Sequence, residues 1–435
     1  MRGVVRVFCG LFVLLGLLVP RAALANGRFP ASNAVIFDPH DEKTIYVRVT
    51  FGLLATHDGG QTWRWVCERA IGFSGVEDPT YVVTPKGTLV GGTFSGISVS
   101  RDGGCGWAFA GGAGSELVSD LAMRPDGSIV GIKSVYRKPN EYDNRVLVSK
   151  DDALTFSASG AAIDPSLLLE SIEISDSDPV RLYISAVRGD SKERASAVFL
   201  ASYNDGMSWA ERKIDLLPGE TAAFIAIVDP KKPDRVYVRT SGAPEAKTRL
   251  LVTDDAGKTW RKVFDSPSPL LGFALNEDGS KVVIGAKEGV QYATTDTFTF
   301  TKGSSAEIQC LGMKGDTLWS CSTERSGFFV GTSKTGGRSF NAMVHLEEIK
   351  GPLECPGESA VGKQCVVDWV KQRRELGLPD PSDKGKSADP GAPALRGSGT
   401  QTKRRGPSPL AAAFGIAAVG LIGYEILKRL RRGRK

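Results

Sequence analysis

One eight-residue pattern recurs in phase along the middle of this 435-residue chain and limits what the chain can fold into. It occupies residues 56–63, 100–107, 149–156, 202–209 and 253–260. Each copy opens on Ser or Thr, carries Asp58, Asp102, Asp151, Asn204 or Asp255 at its third position, and ends on Trp63, Trp107, Phe156, Trp209 or Trp260. Two degraded copies end on Phe300 and Phe340. Successive aromatics are 40 to 53 residues apart, the period of a four-stranded propeller blade. Seven copies predict an all-β, seven-bladed β-propeller over residues 26–347.

The residue types explain the pattern. An Asp followed by Gly builds a tight turn, the carboxylate and the leading hydroxyl accept from turn amides, and the Gly supplies a positive φ. The aromatic then plugs the hairpin into its blade. Between copies lie short alternating segments such as Arg235–Arg239, Arg249–Thr253 and Arg261–Phe264, separated by turn residues, as strands are. Seven such carboxylates, one per blade on the rim, do not converge on one substrate, so these residues are read as structural.

The pattern Ser/Thr-x-Asp-x-Gly-x-Thr-Trp resembles the Asp-box (BNR) repeat of sialidase-like and sortilin-like propellers and of the seven-bladed photosystem assembly factors. The resemblance covers residues 33–345 and implies the same fold. It does not extend to sialidase chemistry. That chemistry needs an arginine triad, a Tyr/Glu pair and an Arg-Ile-Pro-type segment, and the nearest match here is Arg28-Phe29-Pro30.

Both ends read as membrane signals. Arg2 and Arg6 precede the apolar run 7–19, and Ala23 to Ala25 supply small residues for cleavage after Ala25, so residues 1–25 are expected to be a signal peptide. Residues 410–427 are apolar apart from Tyr424 and Glu425, about 27 Å of helix, sufficient for one transmembrane span. The basic residues of 428–435 that follow place this tail in the cytoplasm and the body outside. Residues 348–378 are expected to form a disulfide loop and a short helix from Val366 to Leu376 that packs on the propeller. Residues 379–409, rich in Pro, Gly, Ser, Asp and Lys, read as a flexible tether.

Removing the +8 of residues 403–435 and the +3 of residues 1–25 from the formal +6 leaves the body at −5. A mildly acidic body has no electrostatic footprint for DNA or RNA. Three His leave little for histidine-based zinc sites or triads. No catalytic residue, metal ligand or cofactor site is assigned.

Carboxylates recur just before or within the expected innermost strands: Glu77, Asp120, Glu170, Glu220 and Glu307, with Asp78 and Glu116 beside them. They are expected to ring one mouth of the central channel and to bind ligand there. The expected function is non-catalytic: an exported, membrane-anchored binding or scaffolding module for an extracytoplasmic protein or glycan. The alternative is a secreted, sialidase-like glycoside hydrolase using two of these carboxylates.

Six cysteines remain after signal cleavage. Cys310 and Cys321 face each other if a two-residue loop at Gly315 and Asp316 closes their hairpin, a spacing that suits a disulfide. Cys355 and Cys365 are expected to pair locally, which leaves Cys67 for Cys105.

Overall fold

The computed structural model describes residues 28–75, 77–189 and 195–378. Among them are seven four-stranded antiparallel sheets, each built from four strands consecutive in the chain. The blades span residues 32–66, 80–109, 118–159, 167–214, 220–266, 272–302 and 310–344. The seven-bladed propeller expected from the repeat is therefore observed. Each blade's innermost strand lines the centre, beginning with Ser32–Phe37 in blade 1 and ending with Cys310–Lys314 in blade 7. Both faces of a blade pack on neighbours, so second strands read as nearly continuous apolar runs: Ile45–Val49 has four of its five residues buried.

The octapeptide forms the turn between third and outer strands. In blade 1, Asp58 Oδ1 accepts from the amides of Gln61 and Thr62, both at 2.9 Å, while Thr56 Oγ1 accepts from Gly60 N at 3.0 Å. The arrangement repeats with Asp151 taking Thr155 N and with Asn204 taking Ser208 N. In the degraded seventh copy Thr335 Oγ1 replaces the carboxylate and accepts from Ser339 N. The fourth and fifth residues of these turns have positive φ even where they are not glycine, as Asp152 and Ala153 (both 59°), Asp205 (58°) and Ala256 (56°) show. The turn hydrogen bonds hold a conformation those residues disfavour. Trp63 is buried and its indole donates to Gly60 O at 3.0 Å.

The ring closes without exchanging a strand. Ser32 of blade 1 bonds the Ser322 and Phe329 carbonyls of blade 7. The chain then runs on across the rim of blades 1 and 2 as a strap. Lys350 N donates to Trp63 O, Trp65 N to Gly351 O and Leu353 N to Trp65 O, so residues 350–353 extend the outer edge of blade 1. The helix Ala360–Glu375 follows and buries Val361, Cys365 and Trp369 against the blade. It begins six residues before the expected Val366, because Ser359 Oγ accepts from Gly362 N and caps it there.

This strap corrects two of the three expected disulfides. Cys67 bonds Cys365 and Cys105 bonds Cys355, while Cys310 bonds Cys321 as expected. Cys355 and Cys365 do not form a loop of their own, and Cys67 does not reach Cys105. The helix and the segment before it turn both strap cysteines onto the blades, at sequence separations of 250 and 298 residues. Cys310 and Cys321 are direct partners in the strand register.

The expected signal peptide, tether, transmembrane span and basic tail lie outside the described residues. Among those described, no helix is long and apolar enough to cross a membrane.

Candidate functional site: the central channel and its loop face

Antiparallel order assigns each connection to one of two faces. Octapeptide turns and the turns between innermost and second strands fall on one, here the turn face. Crossings between blades and the loops between second and third strands fall on the other, the loop face.

The loop face is lopsided. The second and third strands of blade 3 have 10 and 9 residues, and those of blade 4 have 8 each, against 5 in blades 1 and 2. At about 3.3 Å per residue the blade 3 hairpin rises on the order of 13 Å beyond those of blades 1 and 2. Tyr136 and Tyr142 meet edge to face on this extension with centroids 6.1 Å apart. Asn144 buttresses it, donating to the Asp164 and Leu167 carbonyls and accepting from Ser134 Oγ, which itself accepts from Leu169 N. The raised hairpin is thereby tied to the innermost strand of blade 4.

The five expected ligand-binding carboxylates do not share one environment. Glu77 Oε2 accepts from Phe94 N at 3.0 Å. Glu220 is withdrawn into its own blade: its side chain is 0% exposed, pairs with Arg249 at 2.6 Å and accepts from Thr240 Oγ1 and Leu217 N. Glu307 takes Gln309 Nε2 at 3.1 Å, and its carbonyl takes Ser322 Oγ. Asp78 and Glu116 are bound by Arg28 and Lys133. Of the five, Asp120 and Glu170 are raised by burial in the channel wall.

Asp120 lies in the innermost strand of blade 3 and accepts from Leu121 N and, across the blade boundary, from Ile172 N, both at 2.9 Å. Burial pushes its carboxyl up to about 6 despite those bonds and the nearby Arg48. Glu170 sits at a bulge in the innermost strand of blade 4, and its carboxylate has no hydrogen bond or ion pair with the described residues. Burial alone pushes it up to about 7.

Three channel residues escaped sequence reasoning. Glu173, in the same strand as Glu170, is held well above the usual carboxylate range by burial and then by the charges of Asp120 and Asp176. Arg48 and Arg239 occupy matching positions in the second strands of blades 1 and 5. Arg48 donates to Asn33 Oδ1 and to the carbonyls of Asn33, Asp78 and Pro79. Arg239 donates to the Leu270 and Leu271 carbonyls. Burial lowers both guanidinium groups. Signals existed: a second Glu three residues after Glu170 inside the largely apolar strand Leu167–Ile174, and a shared Tyr-Val-Arg at 46–48 and 237–239. At the turn-face end of the channel a cavity of about 480 Å³ is lined by Asp176, Lys231, Glu277 and Met313 among others.

Chemically, the wall combines carboxyls that burial raises above the usual carboxylate range with two arginines whose hydrogen bonds go to neutral oxygens. No cluster of three or more metal-ligating side chains occurs among the described residues.

No protein-family model matches the chain, and no curated protein matches it in sequence. Solved structures do match, 1081 chains in all. An ancestral GH74 enzyme is similar with a TM-score of 0.52 and 13% identity, covering 73% of this chain, which spans only 46% of that enzyme. A hydrazine synthase chain of Kuenenia stuttgartiensis is similar with a TM-score of 0.53 and 12% identity, covering 73% of this chain and 99% of that one. A YCF48 structure matches at a TM-score of 0.40 and 17% identity over 59% of this chain and 75% of that one. At these identities the likeness is one of fold. The three disulfides suit an oxidising, extracytoplasmic compartment.

Proposed function

We propose that this chain is an Asp-box propeller, exported and anchored by its C-terminal apolar segment, that captures an extracytoplasmic protein or glycan without turning it over. The reading is carried by the asymmetry of the loop face. A raised, buttressed wall on blades 3 and 4 stands beside an open channel mouth, and it presents the Tyr136–Tyr142 pair above Glu170. Rigid walls with half-buried aromatic and polar groups suit recognition. Most of the carboxylates around them are engaged by the scaffold rather than left facing each other across a cleft. The experiment is capture from an envelope extract by the full chain, comparing wild type with Tyr142→Ala and Glu170→Lys. Loss of a specific partner in these variants, and not in the turn-face variant Lys258→Glu, supports the reading. Capture indifferent to all three sinks it.

The hydrolase reading rests on a separate observation: burial raises the carboxyls of both Asp120 and Glu173, and the Asp120 charge adds to the rise at Glu173. Release of sugar from a glycan panel that vanishes in Asp120→Asn would establish it instead.

A further inference from the structure

The strap helix Ala360–Glu375 has apolar residues on two sides. One side, Val361, Cys365 and Trp369, is buried against blade 1. On the opposite side Val366, Val367 and Val370 are 56%, 72% and 54% exposed. Helix propensity does not explain them: β-branched residues are poor helix formers, and a solvated face selects Ala, Glu, Lys or Gln. Nor does packing, since no described residue covers them. At 3.6 residues per turn, Lys363, Lys371 and Arg374 fall on the same exposed side. One acid stands against them there, Glu375, which pairs with Lys371 at 3.6 Å, while Asp368 is turned aside to Arg69 at 3.1 Å.

We infer that this face of the helix docks on the surface of an anionic lipid bilayer, seating the valines among the acyl chains and the basic residues at the headgroups. Two arguments select that occupant. A helix with three adjacent apolar residues flanked by Lys and Arg has the chemistry of an interfacial helix. The second is reach: residues 379–409 separate the helix from the apolar run 410–427, and random-coil scaling gives that length a span on the order of 30 Å. This second argument rests on the anchored reading above. The bilayer would then be held at high effective concentration beside the helix, so that even a weak interfacial contact is populated. Because the helix lies on the outer rim of blades 1 and 2, docking sets the channel axis along the membrane plane and leaves both channel mouths open to the side.

The test uses the full chain with vesicles of phosphatidylglycerol and phosphatidylethanolamine, or of phosphatidylcholine alone, each containing a photoactivatable phospholipid. Flotation reports anchoring and adduct mapping reports docking, so the two fail separately. The expected result is lipid adducts on residues 363–374 in the anionic vesicles, lost in Val367→Gln/Val370→Gln. Adducts should fall roughly fivefold for each of Lys363, Lys371 and Arg374 replaced by Gln. A chain that floats without adducts on the helix overturns the inference, as do helix cross-links to residues 410–427 or to a second copy in place of lipid. A chain that fails to float sinks the anchored reading, while adducts or their absence on the helix still decide the docking.

Discussion

Trp65, in the outer strand of blade 1, and Trp369, in the strap helix, pack with ring centroids 5.3 Å apart at an interplanar angle of 41°. Trp65 also donates its indole N–H to Phe51 O, and its backbone bonds both Gly351 and Leu353. One residue therefore joins the blade's own loop, the strap's extended segment and the strap's helix. The two long-range disulfides flank this contact. They act where strand exchange would close another propeller.

The losses on breaking the two strap disulfides should be more than additive, by about 1 to 1.5 kcal/mol. With Cys105–Cys355 intact, breaking Cys67–Cys365 opens a loop of only roughly 50 residues, an entropic loss of about 4 kcal/mol. Breaking the second disulfide as well frees a loop of 250 residues or more, and the same arithmetic adds about 5.5 kcal/mol, about 9 to 10 in all against about 8 for the sum of the two single losses. Denaturant unfolding of the two Cys→Ser pairs, alone and combined, measures this. Simple additivity, or a combined loss no larger than that of Cys310→Ser/Cys321→Ser, would show that the strap does not close the ring.

Stability should fall as pH rises from about 4 toward 8. The folded-state pKa values of Asp120, of Glu170 and of Glu68, which opens the short helix Glu68–Ile71 between blades 1 and 2, are raised by burial to about 6, 7 and 7 from 3.8, 4.5 and 4.5, and Glu173 is raised as well. In that window the folded state holds more protons than the unfolded one. Each such group then lowers stability with rising pH by up to about 1.4 kcal/mol per unit. His345 acts in the same direction, because its hydrogen bond to Glu324 raises it above 6.5, and the stability it contributes is lost as pH passes through its folded value. Glu170→Gln should flatten the profile and melt higher than wild type at pH 8. A stability that rises across the window would refute the burial of these carboxyls.

The octapeptide turns make a comparison between blades possible. Asn204 Oδ1 fills the role of Asp58 Oδ1, accepting from Ser208 N at 2.9 Å. A carboxylate there makes charge-assisted bonds, so Asn204→Asp should stabilise by about 0.5 to 1 kcal/mol, whereas Asp58→Ala leaves two turn amides unmet and should cost about 1 to 3 kcal/mol. The gain from Asn204→Asp should disappear in acid, since Asp151 in the equivalent turn is held down at about 2 by the Thr155 hydroxyl and amide. Thermal melts at pH 7 and pH 2 decide it. A loss of stability in Asn204→Asp at pH 7 would contradict the equivalence of the turns.

The fold was legible because the octapeptide is local: hydroxyl, carboxylate, glycine and aromatic all act within eight residues, and their period counts the blades. Cys310 and Cys321 were legible for the same reason, since one tight turn fixes their register. The other two disulfides were not, because they depend on where the chain goes after its last blade, and nothing near Cys355 or Cys365 in sequence encodes the path over Trp65. The channel carboxylates fall between these cases. Their placement at the entry to innermost strands could be read from the repeat frame, but the groups that bind Glu220 and Asp120 come from far along the chain, and Glu170 is bound by none among the described residues. Arg249 is 29 residues from Glu220, and Ile172 is 52 residues from Asp120.

Those partners separate the five carboxylates experimentally. Charge reversal at Glu220 leaves Arg249 facing a second cation in a place where the Glu220 side chain is 0% exposed and Thr240 and Leu217 N have lost their acceptor. Breaking a buried pair in this way costs about 3 to 5 kcal/mol, so Glu220→Lys should unfold far below the wild-type melting temperature. Glu307 bonds one nearby amide side chain, and its backbone carbonyl makes the structural contacts with Ser322 and Ser326. Glu307→Lys should therefore stay within about 0.5 kcal/mol of wild type. Any loss of partner capture in Glu307→Lys then reports recognition at the loop face, whereas the same loss in Glu220→Lys reports only a damaged blade. If the two variants melt together, the ion pair between Glu220 and Arg249 does not hold blade 5 in the way described, and Glu220 returns to the set of residues available to a ligand.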